Sequence, residues 1–329
     1  GVAFALLHLV RRGLHSRPED ALEDAGRRLE SGASAFDRRR VTLLEGLPGN
    51  IALQACACLQ SKRSREAESH VQRLAELASR ARGLEEGECE VLYGRCGFLG
   101  AVLLLRQQFG DATLLREVAT PLVKQVLTAG QRAGNRTWPL YYEWHEKCYF
   151  GGAHGIAGIL LTLLQLPEEL GAADAEALPL IRGAALQLLG QRLRSGNMPS
   201  SLGNSKDKCV HWCHGAPGFI PLLIKLAEVF REERERYMAM AIEMGEVVWL
   251  RGLLSTKGLG LCHGIPGNGY ALLVLHRATG NALWLRRAQH FAVFAAENAG
   301  ELAPQADRPY SLFEGLTGAV TFWADCLHA

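Results

Sequence analysis

The chain has no long apolar run, no surplus of one charge and no strand-like alternation, and each absence removes a class of function. No apolar stretch reaches the roughly 20 residues of a membrane-crossing helix. Lysine and arginine number 36 against 34 aspartate and glutamate, a net charge of +2, so bulk charge offers nucleic acid no footing. The opening Gly1-Val2-Ala3-Phe4 has neither the basic leader nor the cleavage site of a secretory signal. No segment sustains the period-two pattern of a half-buried strand. A helical-ring hydrolase or terpenoid-type cyclase would need paired carboxylates or an Asp-rich motif, and Glu45 and Glu314 are too thin a basis for one.

What the chain has in quantity is glycine, placed in a repeat. Gly-x-x-Gly followed by an apolar run occurs as Gly46-Leu47-Pro48-Gly49, Gly94-Arg95-Cys96-Gly97 and Gly155-Ile156-Ala157-Gly158. It recurs from Gly215 to Gly218, Gly264 to Gly267 and Gly315 to Gly318. The closing glycines are 48, 61, 60, 49 and 51 residues apart. Gly1 lies 48 residues before Gly49 and opens a similar run, so it reads as the last glycine of a truncated first copy, which makes seven copies. A longer natural chain is therefore expected.

Each copy reads as a helical pair. The run after the glycines is apolar nearly all round, as in Ile159-Leu160-Leu161-Thr162-Leu163-Leu164, and such a helix belongs inside. The following segment is longer and amphipathic. In Ala227 to Leu250, charges from Arg231 to Arg236 precede Met238, Ala241, Ile242 and Val247 near helical spacing. The glycine pair permits close backbone approach and positive φ. Seven such pairs predict one all-α domain over residues 1–329, an inner ring of helices wrapped by an outer one. An open solenoid is the alternative.

Nine cysteines, an odd number in a large chain and several of them in apolar helices, point to a reduced, cytoplasmic protein rather than a disulfide scaffold. Two of them carry the chemistry. Trp212-Cys213-His214-Gly215 and Leu261-Cys262-His263-Gly264 lie 49 residues apart, at one offset of neighbouring repeats. Five residues before the closing glycines stand Leu44, Leu92, Ala153, Cys213, Cys262 and Phe313. Four before stand Glu45, Tyr93, His154, His214, His263 and Glu314. A closed ring brings these positions to one mouth, two thiols and three imidazoles together, the ligands zinc prefers. Cys213 and Cys262 are the metal pair, and the third ligand is His263, His214 or His154. Ligation by both His214 and His263 would close the site and make it structural; three protein ligands would leave a catalytic vacancy. Glu45 and Glu314 read as favourable charge at helix N-termini, Glu143, His145 and Glu146 as surface polar groups, and Gln60 to Glu66 as a solvated basic turn.

These strings, with Glu143-Trp144-His145, Ala153-His154-Gly155-Ile156-Ala157-Gly158, Lys257-Gly258-Leu259-Gly260 and Ser311-Leu312-Phe313-Glu314-Gly315-Leu316-Thr317-Gly318, resemble the signature of lanthionine synthetase C-like proteins along almost the whole chain. The resemblance implies an (α/α)7 double-ring toroid of seven inner and seven outer helices. It implies one zinc held by Cys213, Cys262 and His263, with water or a thiol in the fourth place and His214 outside the coordination sphere. It implies glutathione as ligand or substrate, contacted through Lys257, and addition of its thiol to dehydroalanine or dehydrobutyrine in peptides or proteins, a glutathione transferase activity. His154 resembles the family's active-site histidine, suited to general acid–base work. The family has an arginine just before its last repeat motif; here Pro304 stands at that spacing and Arg308 is nearest. A zinc-containing binding or signalling scaffold without turnover is the second expectation. Partners are glutathione and dehydroamino-acid peptides, not nucleic acid. A targeting or lipid signal upstream of Gly1 would be invisible, so peripheral attachment to the plasma membrane stays open beside the cytoplasm.

Overall fold

A computed structural model describes residues 1–32, 39–306 and 308–329. Among them it contains fifteen α-helices and no β-strand. Seven begin at a repeat glycine: α1 (Val2–Arg11), α3 (Leu47–Gln60), α5 (Arg95–Phe109), α7 (Ile156–Leu164), α10 (Ala216–Val229), α12 (Ile265–Thr279) and α15 (Leu316–Leu327). Between them lie α2 (Pro18–Gly32), α4 (Ser64–Arg82), α6 (Arg116–Ala133), the short pair α8 (Pro167–Ala173) and α9 (Ala177–Leu189), α11 (Arg234–Arg251), and α13 (Ala282–Glu297) with α14 (Ala299–Leu302).

The two helix classes follow from composition. Buried residues of α5 run almost without a gap from Arg95 to Val102, whereas α4 buries one stripe, Ala67, Val71, Leu74, Ala78 and Ala81. The stripe of α11 differs from its expected course. It passes through Tyr237, Ala241, Met244, Val247 and Val248, so Ala241 and Val247 lie on it as expected, and the difference is Ile242, which is exposed. Nor does this helix begin near Ala227, because α10 runs to Val229 and a 3-10 turn, Arg231–Glu233, separates the two.

The chain packs as two compact units. One comprises Gly1–Ser16, Phe150–Ala153 and Gln191–Ala329; the other comprises Arg17–Tyr149 and His154–Gly190. In the first, α10 packs on α11 and α12 on α13, while α10 and α12, α12 and α15, and α15 and α1 are neighbours. Phe219, Phe291 and Phe322 are fully buried there, and burying such a side chain contributes about 1.5–3 kcal/mol. In the second, α3 packs on α4 and α5, α5 on α6 and α7, α6 on α8, and α7 on α9. No single helix among the described residues is long and apolar enough to cross a membrane.

Close approach, rather than positive φ, explains most repeat glycines. A Cβ on Gly267 would strike the carbonyl oxygen of Leu261, six residues earlier, and one on Gly318 would strike that of Leu312. Gly318 also sits against Leu259 and Leu261 of the preceding loop, and Gly1 sits in the same way against Tyr310 and Ser311, which supports its reading as a closing glycine. Beside it, α1, α12 and α15 meet at Asp325, whose carboxylate takes hydrogen bonds from Tyr270 Oη at 2.7 Å, His8 Nε2 at 3.2 Å and the Arg12 guanidinium. Burial opposes the charge of Asp325, yet these three donors outweigh it and hold the carboxyl at about 2.

Gly267→Ala should lower stability by about 1–3 kcal/mol, while Gly26→Ala, where a Cβ meets nothing within 4 Å, should leave it unchanged or slightly raised; equal denaturant midpoints for the two would refute the close-approach account. A carboxyl depressed in the fold stabilises above its unfolded pKa, near 4, and loses that contribution as pH falls toward 2. Acid titration of unfolding should therefore show the wild type losing stability more steeply than Asp325→Asn between about pH 4 and pH 2.

Candidate metal centre and active-site histidine

Short backbone bonds set the loops before the glycine-capped helices in register. Gly152 N donates to Trp212 O at 3.1 Å, Cys213 N to Cys262 O at 3.2 Å and Cys262 N to Phe313 O at 2.8 Å. Equivalent positions of successive repeats are thereby laid side by side, and Cys213 is joined to Cys262 through the main chain itself. The closing glycines Gly49, Gly97, Gly218, Gly267 and Gly318 each tuck under the carbonyl six residues back, which folds the position five residues before each glycine over the first helical turn.

The result is a cluster of three donors. One ligand atom each from Cys213, Cys262 and His263 lie within 4.8 Å of one another. Ligand atoms around one tetrahedral zinc stand roughly 3.4–3.8 Å apart, so the trio needs only a small contraction to hold that ion, and two thiols with one imidazole are a zinc-type set. His214 is not among the three, so the alternative of four protein ligands is not the arrangement seen. Cys213 is buried; a hydrogen bond shared with Cys262, burial and the nearby Cys262 charge hold its thiol well above the ordinary cysteine range. The bond to Cys262 also raises His263 against the effect of its burial. A divalent cation would relieve this crowding by taking the place of the protons.

Around the trio stand groups of both signs. His211, which sequence reasoning did not single out, lies 6.0 Å from His263 between ring centroids. Burial, then the charges of His263, Lys257 and His214, push it down to about 4, so it is neutral at neutral pH. Lys257 is exposed, and its charge is felt at His211 and His263. Arg308 is exposed in the loop before α15. Glu314, expected at a helix N-terminus as favourable charge, raises the pKa of His263, and its Oε2 is buried with no hydrogen-bond partner. All these residues lie in one compact unit.

His154 lies in the other unit. Its Nδ1 is 3.0 Å from Oε2 of Glu90, a carboxylate only 2% exposed that also takes amide hydrogen bonds from Leu92 at 2.7 Å and from Tyr93 at 2.5 Å. Trp144 stacks on the imidazole, ring centroids 3.8 Å apart and planes 5° from parallel. Glu90 was not singled out from sequence; the available signal was a carboxylate seven residues before the closing Gly97. Glu143, His145 and Glu146 are exposed as expected. Trp144, by contrast, is turned inward by a tight turn in which His145 and Glu146 have φ of 48° and 59°, closed by Trp144 N to Lys147 O at 2.9 Å. The chain thus offers a cluster of three soft donors in one unit and a histidine oriented by a buried carboxylate in the other.

Comparison with known proteins identifies the family and the fold. A family model described as lanthionine synthetase C-like protein matches residues 1–329. A Danio rerio protein named glutathione S-transferase LANCL1 is 34% identical over 336 residues, 99% of this chain and 80% of that protein. LanC-like protein GCL1 of Arabidopsis thaliana is 39% identical over 263 residues, 77% of this chain and 59% of its own length. The structure of nisin cyclase superposes with a TM-score of 0.75 at 15% identity, covering 99% of this chain and 86% of that one, a likeness of fold. The expected all-α toroid class is borne out by that match, and with the family model running from the first residue to the last, this chain belongs to the lanthionine synthetase C-like family.

Proposed function

We propose that the chain binds one zinc ion through Cys213, Cys262 and His263, takes up glutathione, and adds its thiol to dehydroalanine or dehydrobutyrine in peptides or proteins. The observation that carries this reading is the convergence of two thiols and one imidazole within 4.8 Å. The relative named for glutathione transfer, similar over 99% of this chain, supports the thiol substrate.

Zinc bound there would supply positive charge that keeps an incoming thiol in its thiolate form at neutral pH. Lys257 offers an exposed ammonium for a glutathione carboxylate, and Arg308 is a second cation on the same unit. In the addition, sulfur forms a bond to Cβ, the double bond becomes single, and Cα takes a proton; nothing leaves. We assign that proton to His154. Glu90 accepts from Nδ1–H, which fixes the tautomer and leaves Nε2 as the exchanging atom. Trp144 keeps the ring plane fixed through stacking. The setting proposed is the cytoplasm, with peripheral association with the plasma membrane beside it.

A second reading, a zinc-holding scaffold without turnover, draws on Pro304. It occupies a 3-10 turn, Ala303–Gln305, at the spacing where the resemblance implies an arginine for glutathione. Zinc-loaded protein, glutathione and a dehydroalanine peptide, followed by mass spectrometry, separate the two. A glutathione-sized mass gain lost in Cys262→Ala supports the enzyme, and binding of zinc and glutathione without mass gain supports the scaffold.

Cys213→Ala and Cys262→Ala should each reduce zinc well below one per chain by elemental analysis; stoichiometric zinc in both would refute the centre. His154→Ala should keep its zinc and slow the addition by about 10²–10⁴-fold, and unchanged turnover would remove the residue from the reaction.

A further inference from the structure

Two nearly identical strings, Cys213-His214-Gly215 and Cys262-His263-Gly264, differ in outcome: His263 joins the three-donor cluster and His214 does not. In four loops the first amide of the glycine-capped helix donates to the carbonyl seven residues earlier. Arg95 reaches Glu88 at 3.0 Å, Ile156 reaches Tyr149 at 3.0 Å, Ile265 reaches Gly258 at 3.3 Å and Leu316 reaches Pro309 at 2.7 Å. Seven residues before Ala216 stands Cys209, but here a side chain intervenes. Ala216 N donates to Asn197 Oδ1 at 2.9 Å, and Asn197 Nδ2 donates to Cys209 O at 2.9 Å. A carboxamide therefore occupies the place of the direct backbone bond.

The wedge is rigid. Asn197 is 1% exposed, and its Nδ2 also donates to Asp207 Oδ1 at 2.9 Å. Asp207 is gripped by Arg251, at the end of α11, through both carboxylate oxygens at 2.9 Å. The loop it spreads has a different backbone. Gly215 has φ of +121°, whereas Gly46, Gly94, Gly155, Gly264 and Gly315 lie between −91° and −137°. In the loops before α5 and α15 the capping glycine donates back four residues, Gly94 N to Glu90 O at 3.0 Å and Gly315 N to Ser311 O at 3.1 Å. Here His211 N instead donates forward to His214 O at 3.0 Å.

We infer that Asn197 is a positioning residue that makes the two Cys-His strings inequivalent: its inserted carboxamide turns the Gly215 corner so that Cys213 reaches the metal while His214 is held off it, leaving the fourth coordination place to a thiol. Without the wedge, Ala216 N closes directly on Cys209 O, Gly215 becomes extended, and His214 takes the same course as His263. The centre then has four protein ligands. This role of Asn197 rests on the proposed binding of zinc by Cys213, Cys262 and His263.

Cobalt-substituted protein tests it through ligand-field and thiolate absorption, without turnover. Wild type should bind one cobalt and change its spectrum on addition of glutathione. Asn197→Ala should bind cobalt in a tetrahedral site and lose the glutathione response, and Asn197→Ala with His214→Ala should regain it. Should Asn197→Ala fail to fold, Asn197→Leu, which fills the space but neither accepts from Ala216 nor donates to Cys209, carries the same expectation. A variant that responds like wild type, or that loses cobalt altogether, overturns the role of Asn197. A wild type that takes up no cobalt overturns the metal reading instead.

Discussion

Everything at the candidate metal centre depends on main-chain hydrogen bonds between neighbouring loops. Cys213 N to Cys262 O and Cys262 N to Phe313 O hold one offset of three repeats in lateral register. Because these bonds use backbone atoms, the side chains at that offset are free to vary, from alanine at 153 to cysteine at 213 and 262 to phenylalanine at 313. The scaffold is repetitive and the chemistry is written onto it by two substitutions. The closing glycines are the condition for this arrangement, since any Cβ there would push the loop off its helix.

Electrostatics divides the labour between the two candidate sites. Around Cys213 the fold gathers donors that repel one another when charged, and the hydrogen bond shared with Cys262 and burial push the Cys213 thiol up. Around His154 it does the reverse, giving the imidazole a buried carboxylate that has already accepted two backbone amides. A carboxylate so satisfied is fixed in place and orients the histidine. The inward Trp144, held by two left-handed residues at 145 and 146, is the local strain that keeps this arrangement flat and fixed.

Much of this architecture was legible in the residues alone. Six Gly-x-x-Gly strings and a lone Gly1 marked the starts of all seven glycine-capped helices, because close approach of backbones leaves no substitute for glycine. Cys213 and Cys262 were legible because thiols at one repeat offset have few other purposes, whereas the residues alone left the histidine open among His154, His214 and His263. The stripe of α11 was legible at Ala241 and Val247 but not at Ile242, and its start was placed too early because α10 extends to Val229. Glu90 and Asn197 were not legible. Each acts on a partner far along the chain, Glu90 on His154 at a separation of 64 residues and Asn197 on Ala216 at 19, and neither belongs to the repeat pattern.

By itself the sequence determined the helical repeat, the identity of the soft donors and the offset that carries them, since these are set by residue type and spacing. The tertiary structure alone decided which histidine joins the two thiols. His214 and His263 each stand between a cysteine and a glycine in sequence, and in the fold a carboxamide from outside the repeat, that of Asn197, is hydrogen-bonded into the loop of His214.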